Sequence, residues 1–470
     1  MTQSTLKSKI LPRLVPFVLT FAAAASAQTL ARPGWTGSGL STQSWSKHAV
    51  LYEIDTRSFQ DTNGDGIGDL KGIAQHLDYL KALGVDAILL EPLTAAAPAQ
   101  PGSQPAPIDP ALGTIDDFDD LSLQASRHNI RILLDLPNPD PGLARFWLTR
   151  GVAGFHIPGS TDANAAAIQA IQKLLPKYAG QRILITDAEL AAAGKHSPDQ
   201  LVLDSEILRI PSSASANRAA ELRAALEHSQ AMLRSATPVL VTDAAGLPRS
   251  QNRFADAAHE ADAAKLIGTV LLLNRSVSLI YAGQELGLSS PTGAPVTMPW
   301  GPPPAPPVTD TPPPAPKPVP PPSTTPSDTY VPYVRPVAPP KPVPPDPATA
   351  AGQDLNPNST LNFYRQLVQL HHGTSPLRDG EEILINHDDQ GALIWVRKPP
   401  VPSQQNPAIV ILCNLSGKPL VVSLKDDMAR LHLRGSFLRK ILRSDDALGS
   451  MYLDPITIPP FGVYVGELRF

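Results

Sequence analysis

The sequence predicts an α/β chain in which a parallel sheet with crossover helices is followed by a separate strand-rich segment. Three observations carry this. From residue 50, short apolar runs alternate with stretches of helical period, the pattern of repeated βα units. From about residue 377 to Phe470 the chain is strand-like throughout, ending in ITIPPFGVYVGEL. Between them, residues 302–347 hold more than a third of the chain's 53 prolines. Such a tract forms neither helix nor central strand and reads as an extended spacer.

The chain opens with Lys7, Lys9 and Arg13 ahead of an apolar run at 14–25, and Ala25-Ser26-Ala27 offers a small-residue cleavage site before Gln28. This pattern predicts a signal peptide, 1–27, and an exported protein, periplasmic or secreted. The apolar run is shorter than the roughly 20 residues a membrane span needs, so no transmembrane span is expected after cleavage. Residues 28–45 are a polar lead-in. The net charge of −4, spread without long runs, gives no basis for a nucleic-acid or anionic-membrane partner. The single cysteine, Cys413, lies in AIVILCNL and is expected to be a small buried hydrophobe, since it has no partner for an internal disulfide.

Taken in order, the first unit is the stretch 51–70, LYEIDTRSFQDTNGDGIGDL. Its first half is strand-like. Its second half is a loop in which Asp61, Asn63, Asp65 and Asp69 place oxygen-bearing side chains at alternate positions, with glycines between most of them. That is how one loop wraps a hard cation such as calcium. Leu70 stands near where an EF-hand would need its bidentate Glu, and a strand precedes the loop, so this is a different calcium-type loop. The expected ligands of a structural Ca2+ are Asp61, Asn63, Asp65 and Asp69 by side chain and Ile67 by its carbonyl, tying the first strand to the first helix.

A helix is expected at 73–83 and a second strand at 86–93, followed by a low-complexity loop at 94–107. Thr114 caps a helix running to about residue 128, with Asp116 and Asp117 in its first turn. Strands are then expected at 130–136, 154–157, 182–189, 201–207, 238–243 and 277–286. The intervening helices fall at 142–149, 163–178, 216–233 and 261–273, and another at 361–371 precedes the strand-rich segment.

The stretch YEIDTRSFQDTNGDGIGDLKGIAQHLDYLKALGVDAILLEPL resembles the opening strand, calcium loop, first helix and second strand of the alpha-amylase family, glycoside hydrolase family 13. Within that family it is most similar to the oligo-1,6-glucosidase and alpha-glucosidase branch. Further on, IDPALGTIDDFDDLSLQASRHNIRILLDL, ARFWLTRGVAGFHI, LIYAGQELGL and NFYRQLVQLHHGTSPLRDG resemble later landmarks of the same barrel. The resemblance covers nearly all of 46–470 apart from the proline tract. It implies a (β/α)8 TIM barrel at 46–376, carrying the proline-rich insertion 302–347. It also implies a C-terminal antiparallel β-sandwich at 377–470. The excursion that follows the third strand in the family, domain B, is mostly missing.

The resemblance also implies a retaining mechanism, which needs two carboxylates about 5–5.5 Å apart. Here the family's chemistry is degenerate. Its Gly-Phe-Arg-Ile-Asp pattern reads Gly154-Phe155-His156-Ile157-Pro158, so His156 replaces the Arg and Pro158 the nucleophile. Asp187 stands where the acid/base Glu is expected, with Glu189 two residues on as a fallback acid on the same strand face. The third acid falls at Gly246 in AAGLPR, with Asp243 nearby but out of register. An Asn386-His387-Asp388 tripeptide in the C-terminal segment reads as coincidence. Asp135 matches the first Asp of the third-strand motif, but Pro137-Asn138-Pro139 replaces the Asn-His that should follow. The sugar-stacking Gly-Tyr-Asp segment is replaced by the loop 94–107. The expectation is a non-catalytic, exported family member that binds an oligosaccharide or a protein partner as a module or scaffold. The alternative is an active alpha-glucosidase- or alpha-amylase-type hydrolase with an acid pair rebuilt from Asp187 or Glu189 and Asp135 or Asp243, with His156 in support.

Overall fold

Eight parallel strands close into a barrel in chain order, β1 (Val50–Ile54), β2 (Ala87–Leu90), β3 (Arg131–Asp135), β4 (Gly154–Ile157), β5 (Ile183–Asp187), β6 (Leu201–Asp204), β7 (Thr237–Val241) and β8 (Val277–Tyr281), with β8 pairing back onto β1. The computed structural model describes residues 45–94, 107–161, 163–187, 200–212, 217–232, 236–301, 345–385, 391–445, 447 and 449–470. The segment 1–27 expected to be a signal peptide, the loop at 95–106, Glu189, the proline tract up to 344 and the 386–388 tripeptide lie outside the described residues.

Strand parity sorts the barrel's apolar residues into two cores. Leu51, Leu89, Leu133, Ile185, Leu201, Val239 and Leu279 fill the interior in one cluster. Their neighbours one residue away, among them Tyr52, Ile88, Leu134, Leu184, Leu240 and Ile280, face outward into the strand–helix core. Both faces of a parallel barrel are covered, so these strands read as continuous apolar runs. At the β8–β1 seam, Tyr52 and Tyr79 both donate to Glu285 Oε1, at 2.8 and 2.7 Å.

The helices follow local chemistry, with some departures from expectation. After the short α1 (Thr56–Phe59), the helix expected at 73–83 is two, α2 (Leu70–Gln75) and α3 (Leu77–Leu83). The break is His76, at φ −109° and ψ 16°, whose ring stacks on Trp300 at 3.5 Å and 9°. In α4 (Ile115–Arg127) Thr114 forms a complete capping box with Asp117, as its sequence suggests. Asp140 caps α5 (Pro141–Thr149), which starts one residue earlier than expected. Only residues 136–140 separate β3 from α5, so the family's excursion at that point is indeed missing.

The helix expected at 163–178 ends early, as α6 (Ala165–Gln172), and gives way to a 3-10 turn at Leu175–Lys177. Pro176 disfavours α geometry in the residue before it. The strand expected at 201–207 stops at Asp204 and turns into a 3-10 segment, Glu206–Arg209. Next come α7 (Arg218–Met232), α8 (Ser250–Phe254) and α9 (Glu260–Leu272). Before the second sheet lie α10 (Ala350–Asp354), α11 (Thr360–Gly373) and α12 (Ser375–Asp379), the last straddling the boundary expected at 377.

The C-terminal segment is antiparallel, as expected. Six strands run in the order β14 (Met451–Tyr452), β13 (Phe437–Arg443), β16 (Val463–Arg469), β11 (Ile409–Asn414), β10 (Ala392–Lys398) and β9 (Glu381–Ile385). A two-stranded sheet, β12 (Leu420–Val422) with β15 (Ile456–Ile458), shares one core with them, and a short helix, α13 (Lys425–Arg430), interrupts the strand pattern. On β10 the parity rule applies again. Ile394 and Val396 face this core, whereas Leu393 and Trp395 belong to the cluster that continues into the barrel helices. Trp395 Nε1 and Arg397 Nη1 both donate to the Leu273 carbonyl at the end of α9, at 3.2 and 3.1 Å.

Trp395 is 2 % exposed at this joint, so Trp395→Ala should cost about 3–5 kcal/mol through lost burial and a residual cavity. The check is the urea midpoint followed by circular dichroism, with a drop expected for the whole chain and not for the second sheet alone.

Candidate active site at the barrel mouth

The interior rows continue past their apolar residues into polar ones at the strand C-terminal ends, where barrel sites are built. Two residues beyond Leu51, Leu89, Leu133, Ile185 and Leu279 stand Glu53, Glu91, Asp135, Asp187 and Tyr281. The parity that fills the barrel with aliphatics therefore also aims this polar set at its mouth. Of these, only Asp135 and Asp187 were expected site residues. The signal for the others was present in the sequence, as a charged or phenolic residue continuing the inward-facing period of each strand.

His156 sits among them, paired in register with Asp135 on β3 and Ile185 on β5. Its Nδ1 is 2.7 Å from Asp135 Oδ1, and its Nε2 is 3.7 Å from Asp187 Oδ1. The imidazole thus stands between the two carboxylates that sequence reasoning singled out. Burial alone would lower its pKa, but Asp135 above all, with Asp187 and Glu53, raises it to about 10, so the ring is an imidazolium at neutral pH. Glu53 is also pushed up, to about 8, by burial first and then by the charges of Asp135 and Glu91. Glu91 is raised to about 7 by burial and by Asp55 and Asp135.

Pro158 and Gly159 form a turn directly after β4, with Gly159 at φ +64°. A Pro-Gly pair suits a tight turn that needs a positive φ at its second central residue. The turn delivers the backbone N–H groups of Gly159 and Ser160 to Asp187 Oδ2, at 2.7 and 3.2 Å, while Ser160 Oγ accepts from the Asp187 N–H at 2.7 Å. At the position of the expected nucleophile there is thus a turn that binds Asp187.

The expected third-acid position, Gly246, lies in an exposed turn at φ +76°. Asp243 is 2 % exposed and accepts from the Ser250 N–H at 2.7 Å. Arg249 lies 4.4 Å over the Tyr281 ring and donates through Nη2 to the Ala282 carbonyl at 2.8 Å. Its Nη1, together with His156 Nε2 and Glu91 Oε1, is buried without a hydrogen-bond partner among the described residues.

In the loop at 60–69, Asp61 accepts backbone N–H groups of Asn63 and Gly64 on Oδ1 and of Gly66 on Oδ2. The Gly64 and Gly66 donors hold its carboxyl below the usual range. Asn63 Oδ1 accepts from Asp65 N and Asp65 Oδ1 from Ile67 N, at 2.9 and 2.8 Å. These three side chains keep further acceptor lone pairs. Asp69 differs from its expected role. It is 5 % exposed, caps α2 by accepting from Gly72 N, and takes both the Thr62 N–H and hydroxyl on its other oxygen. Among the described residues, no three acidic, histidine or cysteine side chains converge as a metal cage.

Residues 53–138 match the family model for the alpha amylase catalytic domain. The chain is 50% identical over 95 residues to trehalose-6-phosphate hydrolase of Escherichia coli (strain K12), covering 20% of this chain and 17% of that protein. It is 47% identical over 98 residues to alpha-glucosidase of Pediococcus pentosaceus, covering 20% and 18%. The matched stretch therefore spans less than a fifth of either relative's own length. Among solved structures, Bacillus licheniformis trehalose-6-phosphate hydrolase superposes with a TM-score of 0.70 over 91% of this chain and 100% of that one, at 16% identity, which shows the fold alone. The opening segment is thus alpha-amylase-like, with alpha-glucosidase-type relatives, and the family match stops before β4.

The raised values at the mouth carry a pH dependence. His156, lifted from 6.5 to about 10, stabilises the fold fully below pH 6.5, and that contribution is lost as pH rises toward 10. Glu53, lifted from 4.5 to about 8, acts with the same sign between those values. Resistance to urea should therefore fall from pH 6.5 to 10. His156→Gln should flatten the upper part of that fall and cost about 3–5 kcal/mol at pH 6, because it leaves Asp135 buried without its counter-charge. A mutant whose stability keeps the wild-type slope above pH 8 would contradict the assignment of that slope to His156.

Proposed function

We propose that the protein is an alpha-amylase-family barrel of alpha-glucosidase type that engages α-linked oligosaccharide at its mouth without double-displacement hydrolysis, acting as an exported binding or scaffold module. The observation that carries this is the end of β4, where Pro158 opens a turn in place of an attacking carboxylate and the His156 ring stands between Asp135 and Asp187. Proline offers neither a nucleophile nor an exchangeable proton. Losing one member of a catalytic set forfeits most of what the set does together. The acid-rich mouth, with hydrogen-bonding atoms of Glu91, His156 and Arg249 left unpaired, suits hydroxyl groups.

A second reading, an active alpha-glucosidase-type hydrolase, is favoured by the relatives, whose names are those of hydrolases. It would use Asp187, whose side chain is 24 % exposed, opposite Asp135. The two readings separate on p-nitrophenyl α-glucoside, maltose and isomaltose. No product above background, together with saturable calorimetric binding of isomaltose or maltotriose, is the result expected. Turnover that Asp187→Ala abolishes would establish the second reading instead. Recovery of the mature chain outside the cytoplasm, beginning at Gln28, is the corresponding expectation for export.

We also propose that the loop at 60–69 holds a structural Ca2+. Asp61, Asn63, Asp65 and the Ile67 carbonyl fit as ligands, and Asp69 joins them only by sharing an oxygen that Thr62 now uses. The ion would neutralise the loop's clustered carboxylates and brace β1 against α2. Chelation by EDTA should lower the Tm by several degrees, and Asp61→Ala together with Asp65→Ala should remove that difference. An unchanged Tm on chelation would count against the ion.

A further inference from the structure

Asn63-Gly64 is the one Asn-Gly pair in the sequence, and it stands directly ahead of Asp65-Gly66, one of two Asp-Gly pairs. At such pairs a chain can rearrange through a succinimide, because glycine has no Cβ to block the approach of its nitrogen to the preceding side chain. At 63 the Gly64 nitrogen loses its proton to solvent and attacks Cγ of Asn63. The N–Cγ bond forms, the Cγ–Nδ2 bond breaks, and Nδ2 leaves as ammonia. Water then opens the ring at either carbonyl, giving aspartate or, with the main chain rerouted through Cβ, isoaspartate. At 65 the Gly66 nitrogen attacks Cγ of Asp65 in the same way and expels water, and reopening gives the same two products. Water is the only co-reactant in either case.

Access does not prevent this chemistry. Residues 63–66 are exposed. Among the described residues, no atom beyond the adjoining ones lies within 4 Å of where a Cβ would stand on Gly64 or Gly66. What restrains the pairs is hydrogen bonding. The Gly64 N–H donates to Asp61 Oδ1 at 2.7 Å and the Gly66 N–H to Asp61 Oδ2 at 2.8 Å. One carboxylate thus holds both attacking nitrogens.

The side chains under attack are held from the other direction. Asn63 Oδ1 accepts from the Asp65 N–H at 2.9 Å, and Asn63 Nδ2 donates to Asp65 Oδ2 at 3.1 Å. Asp65 Oδ1 accepts from the Ile67 N–H at 2.8 Å. In each pair the nucleophile is tied to a residue earlier in the chain and the carboxyl or amide carbon to one later. Ring closure needs the reacting atoms close and aligned, so these bonds must open first. An N–H that donates to a carboxylate is also harder to deprotonate, since the new anion would face an existing one. The bonds lie at the surface, so local opening of the loop and not global unfolding sets the rate.

We propose that Asn63-Gly64, with Asp65-Gly66 beside it, is a modification site of this chain that converts to isoaspartate at a rate set by the grip of Asp61 on the two glycine N–H groups. Isoaspartate at 63 adds a carboxylate and lengthens the backbone by one methylene. The loop then cannot re-form its bonds to Asp61 and Asp65 in their present register. The site depends neither on the reading of the mouth nor on a bound ion.

Incubation of the full chain in mildly alkaline buffer with EDTA, followed by trypsin digestion, tests it. EDTA removes any contribution of an ion, so the protection measured belongs to the hydrogen bonds. The peptide 58–71 reports both reactions, deamidation by its mass and isoaspartate by separate elution and by acceptance of a methyl group from an isoaspartyl methyltransferase. Residue 63 should be the fastest asparagine of the folded chain, yet at least tenfold slower than in the chain unfolded by guanidinium chloride. Asp61→Ala, its fold verified by circular dichroism, should bring the folded rate to within threefold of the unfolded one. If that variant does not fold, Asp61→Asn decides the matter. It keeps the size but offers one acceptor oxygen in place of two, so it frees at least one glycine N–H, and total modification at 63 and 65 should rise threefold or more. The proposal is overturned if folded and unfolded chains react at the same rate, if another asparagine of the folded chain outpaces 63, or if the deciding variant reacts like wild type.

Discussion

A buried cation at the top of β4 sets the terms for the whole mouth. His156, in contact with Asp135 and near Asp187, is the positive charge at the centre of an otherwise acidic set that includes Glu53 and Glu91. Without it, carboxylates on adjacent strands would face one another in a desolvated space. Coulomb repulsion at such range and low dielectric is large enough to force protonation or rearrangement. With it, one positive charge partly offsets the two carboxylates across β3, β4 and β5. Glu53 and Glu91, raised first by burial and then by neighbouring carboxylates, keep their protons to unusually high pH.

The same interaction sets the geometry between β3 and β5. In a retaining mechanism two carboxylates face a bond between them across open space. Here an imidazolium fills the line between Asp135 and Asp187, and the turn after Pro158 donates two backbone N–H groups to Asp187. Each substitution suits the other. A turn closing directly after β4 brings its amides onto β5, and a cation inside the barrel compensates the acids that remain. Only residues 136–140 lie between β3 and α5, so no further element stands beside β3 at that point. The family-model match, residues 53–138, runs from β1 through β3 and ends before β4.

Legibility followed the range of the forces involved. Elements governed by their own residues were read well. The strand Gly154–Ile157 and the Thr114–Asp117 capping box came out as expected, because parity and capping act within a few residues. Elements governed by distant partners were misjudged. His76 interrupts a helix because its ring stacks on Trp300, more than two hundred residues away. Asp69 read as a loop ligand by spacing, yet it caps α2 and takes the Thr62 donors, a choice that depends on how the loop folds back. Glu53, Glu91 and Tyr281 continue the inward-facing period of their strands, but only closure of the barrel brings them to one mouth with His156.

Taken alone, the sequence determined the alternation of strands and helices, the change to an antiparallel domain, and the presence of a proline, Pro158, directly after the fourth strand. These follow from side-chain period, backbone restriction and covalent identity, which need no knowledge of neighbours. Only the tertiary structure decided that His156 is a charged bridge and that Asp187 is bound by the β4 turn. Protonation, pairing and solvent exclusion depend on distances between strands far apart in the chain, and closure of the barrel is what sets those distances.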